Sequence, residues 1–218
     1  MKIIVKYKKV DRLKFISHLD TIRLLQRAIR RAGIKVMYSQ GYNPHPKFSF
    51  AMPLSLGLET FGDYIEIELE ESENPNSIKE RLNEVLPEYF QIINVEESKN
   101  NKTLSARLKY VLYTIKLELE NSNIEDLKSI NDKFFSEEQI VERIKIKKRR
   151  KKVKVFDGRK FIEKIELLDY KEDNATLKIY GIFSNEGAIK MEELVDILKT
   201  LTLNIKDYKI VREDMIFE

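Results

Sequence analysis

The chain has no cysteine. That excludes a disulfide framework, a thiolate zinc site, a cysteine nucleophile and an iron–sulfur cluster held by this chain's own thiolates. Glycine is scarce, seven in 218 residues, so no glycine-rich phosphate cradle can be built. There is no Walker loop, no dinucleotide-binding glycine fingerprint, no Gly-x-Ser-x-Gly and no His-Glu-x-x-His. Histidine occurs twice, at His18 and His45, and no short-spaced pair of ligands accompanies either. Neither a metal site nor a cofactor is therefore expected. No apolar run approaches the roughly 20 residues that span a bilayer. Lys2 and Lys6 interrupt the first residues, leaving no apolar signal core. The expectation is a cytoplasmic protein with no membrane partner.

What is present fits a globular chain of one or two domains, with 42% hydrophobic and 35% charged residues. The net charge of +4 hides strong segregation. Residues 1–58 carry 12 basic against 2 acidic side chains, or +10, and residues 59–100 carry 3 against 12, or −9. Residues 143–170 return to 12 against 4, or +8. Such alternation fits either ordinary surface charge or a basic surface that attracts phosphates.

Periodicity predicts an α+β fold. Ile3 to Val10 alternates as a strand. Ser17, with Asp20 three residues on, opens a helix with apolar positions Leu19, Ile22, Leu25, Ile29 and Ala32, which Gly33 stops. Short strands are expected at Ile34–Ser39 and Phe48–Leu56. A clear one runs from Tyr64 to Leu69, where apolar residues alternate with Glu66, Glu68 and Glu70. Pro75 opens a helix through Leu86, and Phe90–Val95 closes the unit. The order β-α-β-β-α-β is the ferredoxin-like arrangement. After a polar linker it recurs: strand Leu108–Leu119, helix Ile124–Phe135, strands Ile140–Ile146, Val153–Phe156, Phe161–Leu168 and Ala175–Phe183, helix Met191–Leu201, strand Tyr208–Val211. Asp157-Gly158 reads as a hairpin turn. Two ferredoxin-like units with antiparallel sheets are expected. The N-terminal one, 1–97, carries the Arg-rich helix and an aromatic loop. The C-terminal one, 104–218, carries a basic hairpin.

Arg23, Arg27, Arg30 and Arg31 fall on one helical face, away from Ile22, Leu25 and Ile29. Only Asp20 opposes them nearby. A row of guanidinium forks suits phosphate; the alternative is pairing with the acidic segment 66–73. The loop that follows, Tyr38-Ser-Gln-Gly-Tyr-Asn-Pro-His-Pro-Lys-Phe-Ser-Phe-Ala51, holds two of the five prolines and one of the two histidines. Loops this rich in rings and turn residues tend to bind. Tyr42 and His45 are candidates to contact a base or sugar, with Asn43 in the turn and Lys47 contacting phosphate. Phe48 or Phe50 serves the core. His18 lies on the apolar side of the helix, so it reads as half-buried. An acid/base pair of His18 and His45 for RNA cleavage is the catalytic alternative. The run Lys147-Lys-Arg-Arg-Lys-Lys152 marks a change of inward-facing parity, even before it and odd after. A turn or bulge accounts for that, and Arg149 and Arg150 could give a second phosphate contact.

Phe15-Ile-Ser-His-Leu-Asp20, Arg27-Ala-Ile-Arg-Arg-Ala32 and Tyr38 through Gly57 together resemble the bacterial "radical SAM-linked" family, a domain of unknown function. The likeness is specific over residues 15–57 and weaker along the rest. It implies a partner radical SAM protein, encoded beside or fused to such chains, and an RNA or ribosome setting. The family's Asp-x-Arg-Pro is met by Asp157 and Arg159, but Lys160 replaces the proline. Since the cluster-binding cysteines are lacking, the implied role is to recognise or present a substrate, with no activity of its own. The expected partners are RNA or another polyanion, without DNA specificity, and the radical SAM protein. A metal-independent endoribonuclease using His18 and His45, and a protein–protein adaptor, are the alternatives.

Overall fold

A computed structural model describes the chain except residues 148, 149, 185 and 202 and the side chains of 145–147, 150 and 151. The chain divides into two compact units, Met1–Lys109 with Val211–Glu218, and Tyr110–Ile210. The fold is α+β with mostly antiparallel strands. Among the described residues no helix is long and apolar enough to cross a membrane.

In the first unit β1 (Lys2–Lys9) lies between β3 (Glu59–Glu68) and β4 (Phe90–Glu97), antiparallel to both. A short β2 (Phe48–Phe50) pairs with β3 on its other edge. The inward side chains of β1 are Ile3, Val5 and Tyr7, and those of β3 are Ile65 and Ile67. Helix α1 (His18–Arg31) covers them with Leu25, Ala28 and Ile29, and α2 (Pro75–Val85) with Ile78 and Leu82. Burying each large apolar side chain contributes about 1.5–3 kcal/mol.

Both helices are capped as their sequences suggest. Ser17 Oγ accepts from the Asp20 backbone N–H at 3.1 Å. At the other end Gly33 takes φ +67°, its N–H bonds Arg30 O, and the Ile34 N–H bonds Ile29 O at 3.1 Å. This paired closure needs a left-handed residue, and glycine adopts it without a Cβ penalty. Asn74 caps α2, with Pro75 at its first position, where a missing N–H costs nothing.

Several expectations change here. Leu19 is 63% exposed and lies off the apolar stripe of α1. No strand forms at 34–39. Instead single bridges join Val36 to Leu69 and Tyr38 to Pro46, because prolines 44 and 46 cannot donate to a ladder. Strand β2 ends at Phe50, short of Pro53.

In the second unit α3 (Leu104–Arg107) of the first leads into β5 (Leu108–Leu119). The segment expected as one helix is two, α4 (Ile124–Lys128) and α5 (Ile130–Ser136), broken at Ser129. Strand β9 (Asn174–Ile182) pairs antiparallel with both β5 and β8 (Ile162–Lys171). Helix α6 (Met191–Thr200) buries Leu194, Val195 and Leu198. Strand β10 (Ile205–Phe217) begins beside β5 and ends in the first unit, where Val211 and Arg212 pair in parallel with Glu59 and Thr60.

Strands β6 (Ile140–Lys147) and β7 (Arg150–Asp157) form a separate antiparallel ribbon, in unbroken register from Ile140↔Asp157 to Lys147↔Arg150. The face shared by Ile140, Ile144, Val153 and Val155 is not inward as expected, since these side chains are 46–56% exposed and Val141 on the opposite face is buried; residues 148 and 149, where a turn or bulge was expected, lie outside the described residues. Asp157-Gly158 is not a hairpin turn. Gly158 opens a 3-10 turn, Gly158–Phe161, with Asp157 capping it, and β7 does not pair with β8. Gly158 does not have a positive φ. Its role is close packing, since a Cβ there would lie 3.2 Å from Ile189 and Ile197.

Candidate functional site

The outward face of α1 carries Arg23, Arg27, Arg30 and Arg31, all exposed. Arg23 pairs with Asp20 at 2.9 Å, and Arg31 donates to the Val85 carbonyl at 3.2 Å. Arg27 and Arg30 have no hydrogen bond or ion pair among the described residues. Four of the five carboxylates in the acidic segment are occupied by other cations, while Glu70 lines the same cavity as Arg30. Glu66 pairs with Lys2 at 3.2 Å, Glu68 with Lys47 at 3.0 Å, Glu71 with Lys35 at 3.1 Å, and Glu73 with Arg81. No ion pair among the described residues joins the helix arginines to this segment. Lys47, by contrast, is tied to Glu68 and is not a free contact.

The aromatic loop folds back on itself. The Ser39 N–H bonds the His45 carbonyl at 2.8 Å, the His45 N–H bonds Ser39 Oγ at 3.0 Å, and the Lys47 N–H bonds Met37 O at 2.8 Å. Gly41 turns the tip at φ +130°, a conformation that favours glycine. Tyr42 and Asn43 stand in solvent at this tip, Tyr42 fully exposed. Between the loop and the C-terminal half of α1 lies a cavity of about 470 Å³. Its floor is apolar (Ile29, Ile34, Val36, Pro44, Pro46), and Arg30, His45, Lys35 and Glu70 form its polar edge. A volume in the usual ligand range and an apolar floor suit a flat ring, with Arg30 as the rim's cation without an ion pair among the described residues. A second hollow of about 390 Å³ is lined by Arg23, Arg27, Arg31, Leu24, Val85 and Pro87.

The two histidines stand in different settings. His45 lines the cavity beside Arg30, whereas His18, half-buried on the core side of α1, meets Phe50 edge-on with ring centroids 4.8 Å apart. No contact among the described residues joins them. Among the described residues no cluster of three or more metal-ligating side chains occurs. Arg149 and the side chain of Arg150 lie outside the described residues. Asp157 and Arg159 form a closed local pair at 2.8 Å, with Asp157 also accepting from the backbone N–H groups of Arg159 and Gln139. These bonds to Arg159, ahead of the rest, hold the Asp157 carboxyl below its usual range. The pair caps a turn.

A second constellation, unseen in the sequence reading, lies at the end of the first unit's core. Arg212 is 1% exposed and Asp63 2%, and Arg212 Nη1 donates to Asp63 Oδ1 at 2.7 Å. The same guanidinium donates to the carbonyls of Met52 (3.3 Å) and Pro53 (3.0 Å), clamping the chain beyond the aromatic loop. Tyr7 donates its hydroxyl to Asp63 Oδ2 at 3.2 Å, and burial, reinforced by Asp63, pushes the phenol well above its ordinary value. Lys9 is buried beside them, and burial pulls its ammonium below the ordinary lysine value. Part of this was legible. Lys9 shares the inward parity of Ile3, Val5 and Tyr7, and Asp63 that of Ile65, Ile67 and Leu69. A charged residue on an inward strand position was the signal.

No curated protein matches the chain. Among solved structures, the chain is similar to one in a Cbf5-Nop10-Gar1 complex at 7% identity and a TM-score of 0.49, covering 96% of this chain and 48% of that one. This chain thus spans about half the length of that one. It is also similar to an unknown protein from Galdieria sulphuraria, at 11% identity and a TM-score of 0.28, covering 97% of each chain. Neither likeness bears on function. Residues 2–195 match the family described as an uncharacterised protein conserved in bacteria, and the chain accordingly belongs to that family, DUF2344.

Proposed function

We propose that this chain is a non-catalytic RNA-binding module that presents its RNA to a radical SAM partner protein in the cytoplasm. The observation that carries the RNA reading is the state of α1. Arg27 and Arg30 are exposed and without an ion pair among the described residues, while four of the five carboxylates of the acidic segment, all but Glu70, are held by Lys2, Lys35, Lys47 and Arg81. Unpaired guanidinium groups spaced along a helix match successive phosphates. The cavity lined by Arg30 and His45 suits one unstacked base, with Tyr38 in its lining and Tyr42 exposed at the loop tip. Support for the radical SAM partner is the resemblance of residues 15–57.

The scaffold in this reading is a pair of ferredoxin-like units, β4-β1-β3-β2 in one and β10-β5-β9-β8 in the other. Open antiparallel sheets of this kind leave helix faces and loops free to bind.

The test is fluorescence anisotropy with a short labelled single-stranded RNA. Binding weakens with salt, and Arg27→Ala with Arg30→Ala lowers the log–log salt slope by about 1.4, at about 0.7 per phosphate contact. Affinity falls about tenfold if each contact contributes about 0.7 kcal/mol. No affinity at low salt, or an unchanged slope in the double variant, overturns the reading.

A further inference from the structure

We propose that the base seated in the cavity beside α1 is guanine, read by the carboxylate of Glu70. This rests on the RNA reading above and adds a specificity to it. The starting observation is the state of Glu70. It is exposed, it lines the cavity together with Arg30 and His45, and its side chain makes no hydrogen bond or ion pair among the described residues. The other four carboxylates of the segment have cationic partners. Lys35, the second cation of the lining beside Arg30, is held by Glu71 at 3.1 Å. Backbone contacts fix where Glu70 sits: its N–H bonds the Lys35 carbonyl at 3.1 Å, and the bridge between Val36 and Leu69 is adjacent.

A carboxylate without a partner, at the edge of a surface that binds phosphates, works against binding because it repels the backbone. That cost is offset when the seated group brings donors, since an ionised carboxylate only accepts. The four bases differ here. Guanine presents two donors side by side, N1–H and the 2-amino group, spaced for both oxygens of one carboxylate. Adenine and cytosine each place a ring-nitrogen acceptor beside their amino group, and uracil flanks its single N–H with two carbonyls. Each of these three sets an acceptor against a carboxylate oxygen. Gln26, also in the lining, both donates and accepts and so excludes no base. Arg30 remains the phosphate contact, and Tyr38 and His45 supply rings on which the base stacks.

The experiment is fluorescence anisotropy of the full chain with short labelled oligouridine RNAs that carry one central guanosine, adenosine, cytidine or inosine, or no substitution. The parent binds the guanosine RNA about tenfold more tightly than the adenosine, cytidine or all-uridine RNA, toward the low end of what one bidentate pair gives, because Glu70 is exposed. Inosine keeps N1–H but lacks the 2-amino group, so it binds about threefold more weakly than guanosine. Glu70→Ala and Glu70→Gln lose the preference for guanosine, bind the all-uridine RNA at least as tightly as the parent, and keep its salt slope. No binding of any of these RNAs at low salt overturns the RNA reading and this proposal together. Binding with equal affinity for guanosine and uridine overturns this proposal alone and leaves the RNA reading standing. So does a guanosine preference that survives both Glu70 variants, or inosine binding as tightly as guanosine.

Discussion

Replacing Arg212 with methionine removes a buried cation while keeping most of its volume. Asp63, 2% exposed, is then left with the Tyr7 hydroxyl as its described side-chain donor. The carbonyls of Met52 and Pro53 lose their guanidinium donors at 3.3 and 3.0 Å. Removing one partner of a buried ion pair costs about 3–5 kcal/mol, chiefly because the other charge stays behind without water. That is a large part of a typical total of about 5–15 kcal/mol. Urea unfolding followed by far-UV circular dichroism reads the change. With a slope of about 2–3 kcal/mol per molar, the midpoint falls by roughly 1–2 M. The reasoning makes a second, sharper demand. Adding Asp63→Leu to Arg212→Met removes the stranded charge, so the double variant is more stable than Arg212→Met alone. A loss below about 1 kcal/mol for Arg212→Met, or a double variant that is no better, refutes the claim that the desolvated charge dominates.

Gly62→Ala is destabilising, because a Cβ at Gly62 would lie 2.6 Å from the Glu213 carbonyl and 2.9 Å from the Asp214 Cα, both backbone. Overpacking of this kind costs about 1–3 kcal/mol, visible as a lowered Tm. Gly158→Ala is milder, since the atoms at 3.2 Å are side-chain tips of Ile189 and Ile197 that can yield, and a Tm drop as large as that of Gly62→Ala would contradict this ranking. His18 has a folded pKa below 6.5, through burial first. The unfolded chain therefore takes up a proton that the folded chain does not as pH falls from 6.5 toward the folded value, and stability declines over that window. His18→Gln removes this component. The difference between parent and variant stability, measured against pH, should slope upward across that window; a flat difference counts against a desolvated His18.

How much was legible can be argued residue by residue. Ser17, Gly33 and Pro75 marked helix ends because capping is local chemistry: a side chain, a glycine or a proline meets needs within a few residues of itself. The alternation of Ile65, Ile67 and Leu69 with glutamates fixed which face of β3 turned inward. The arginine face of α1 followed from helical spacing, and the prolines and Gly41 marked the loop beside it. Asp157-Gly158 misled because the dipeptide favours several turns. Here the Ile189 and Ile197 side chains leave little room for a Cβ at Gly158, a closeness that no neighbouring residue announces.

The sequence alone therefore settled local matters: where helices begin and stop, which strand faces are apolar, and that several arginines share one exposed face. Only the tertiary structure decided which charges remain free. Pairing depends on which side chains the fold brings within a few ångströms, and Glu66, Glu68, Glu71 and Glu73 met lysines and Arg81 rather than the α1 arginines. The same is true of Arg212, which lies 149 residues from Asp63 along the chain yet forms its buried partner.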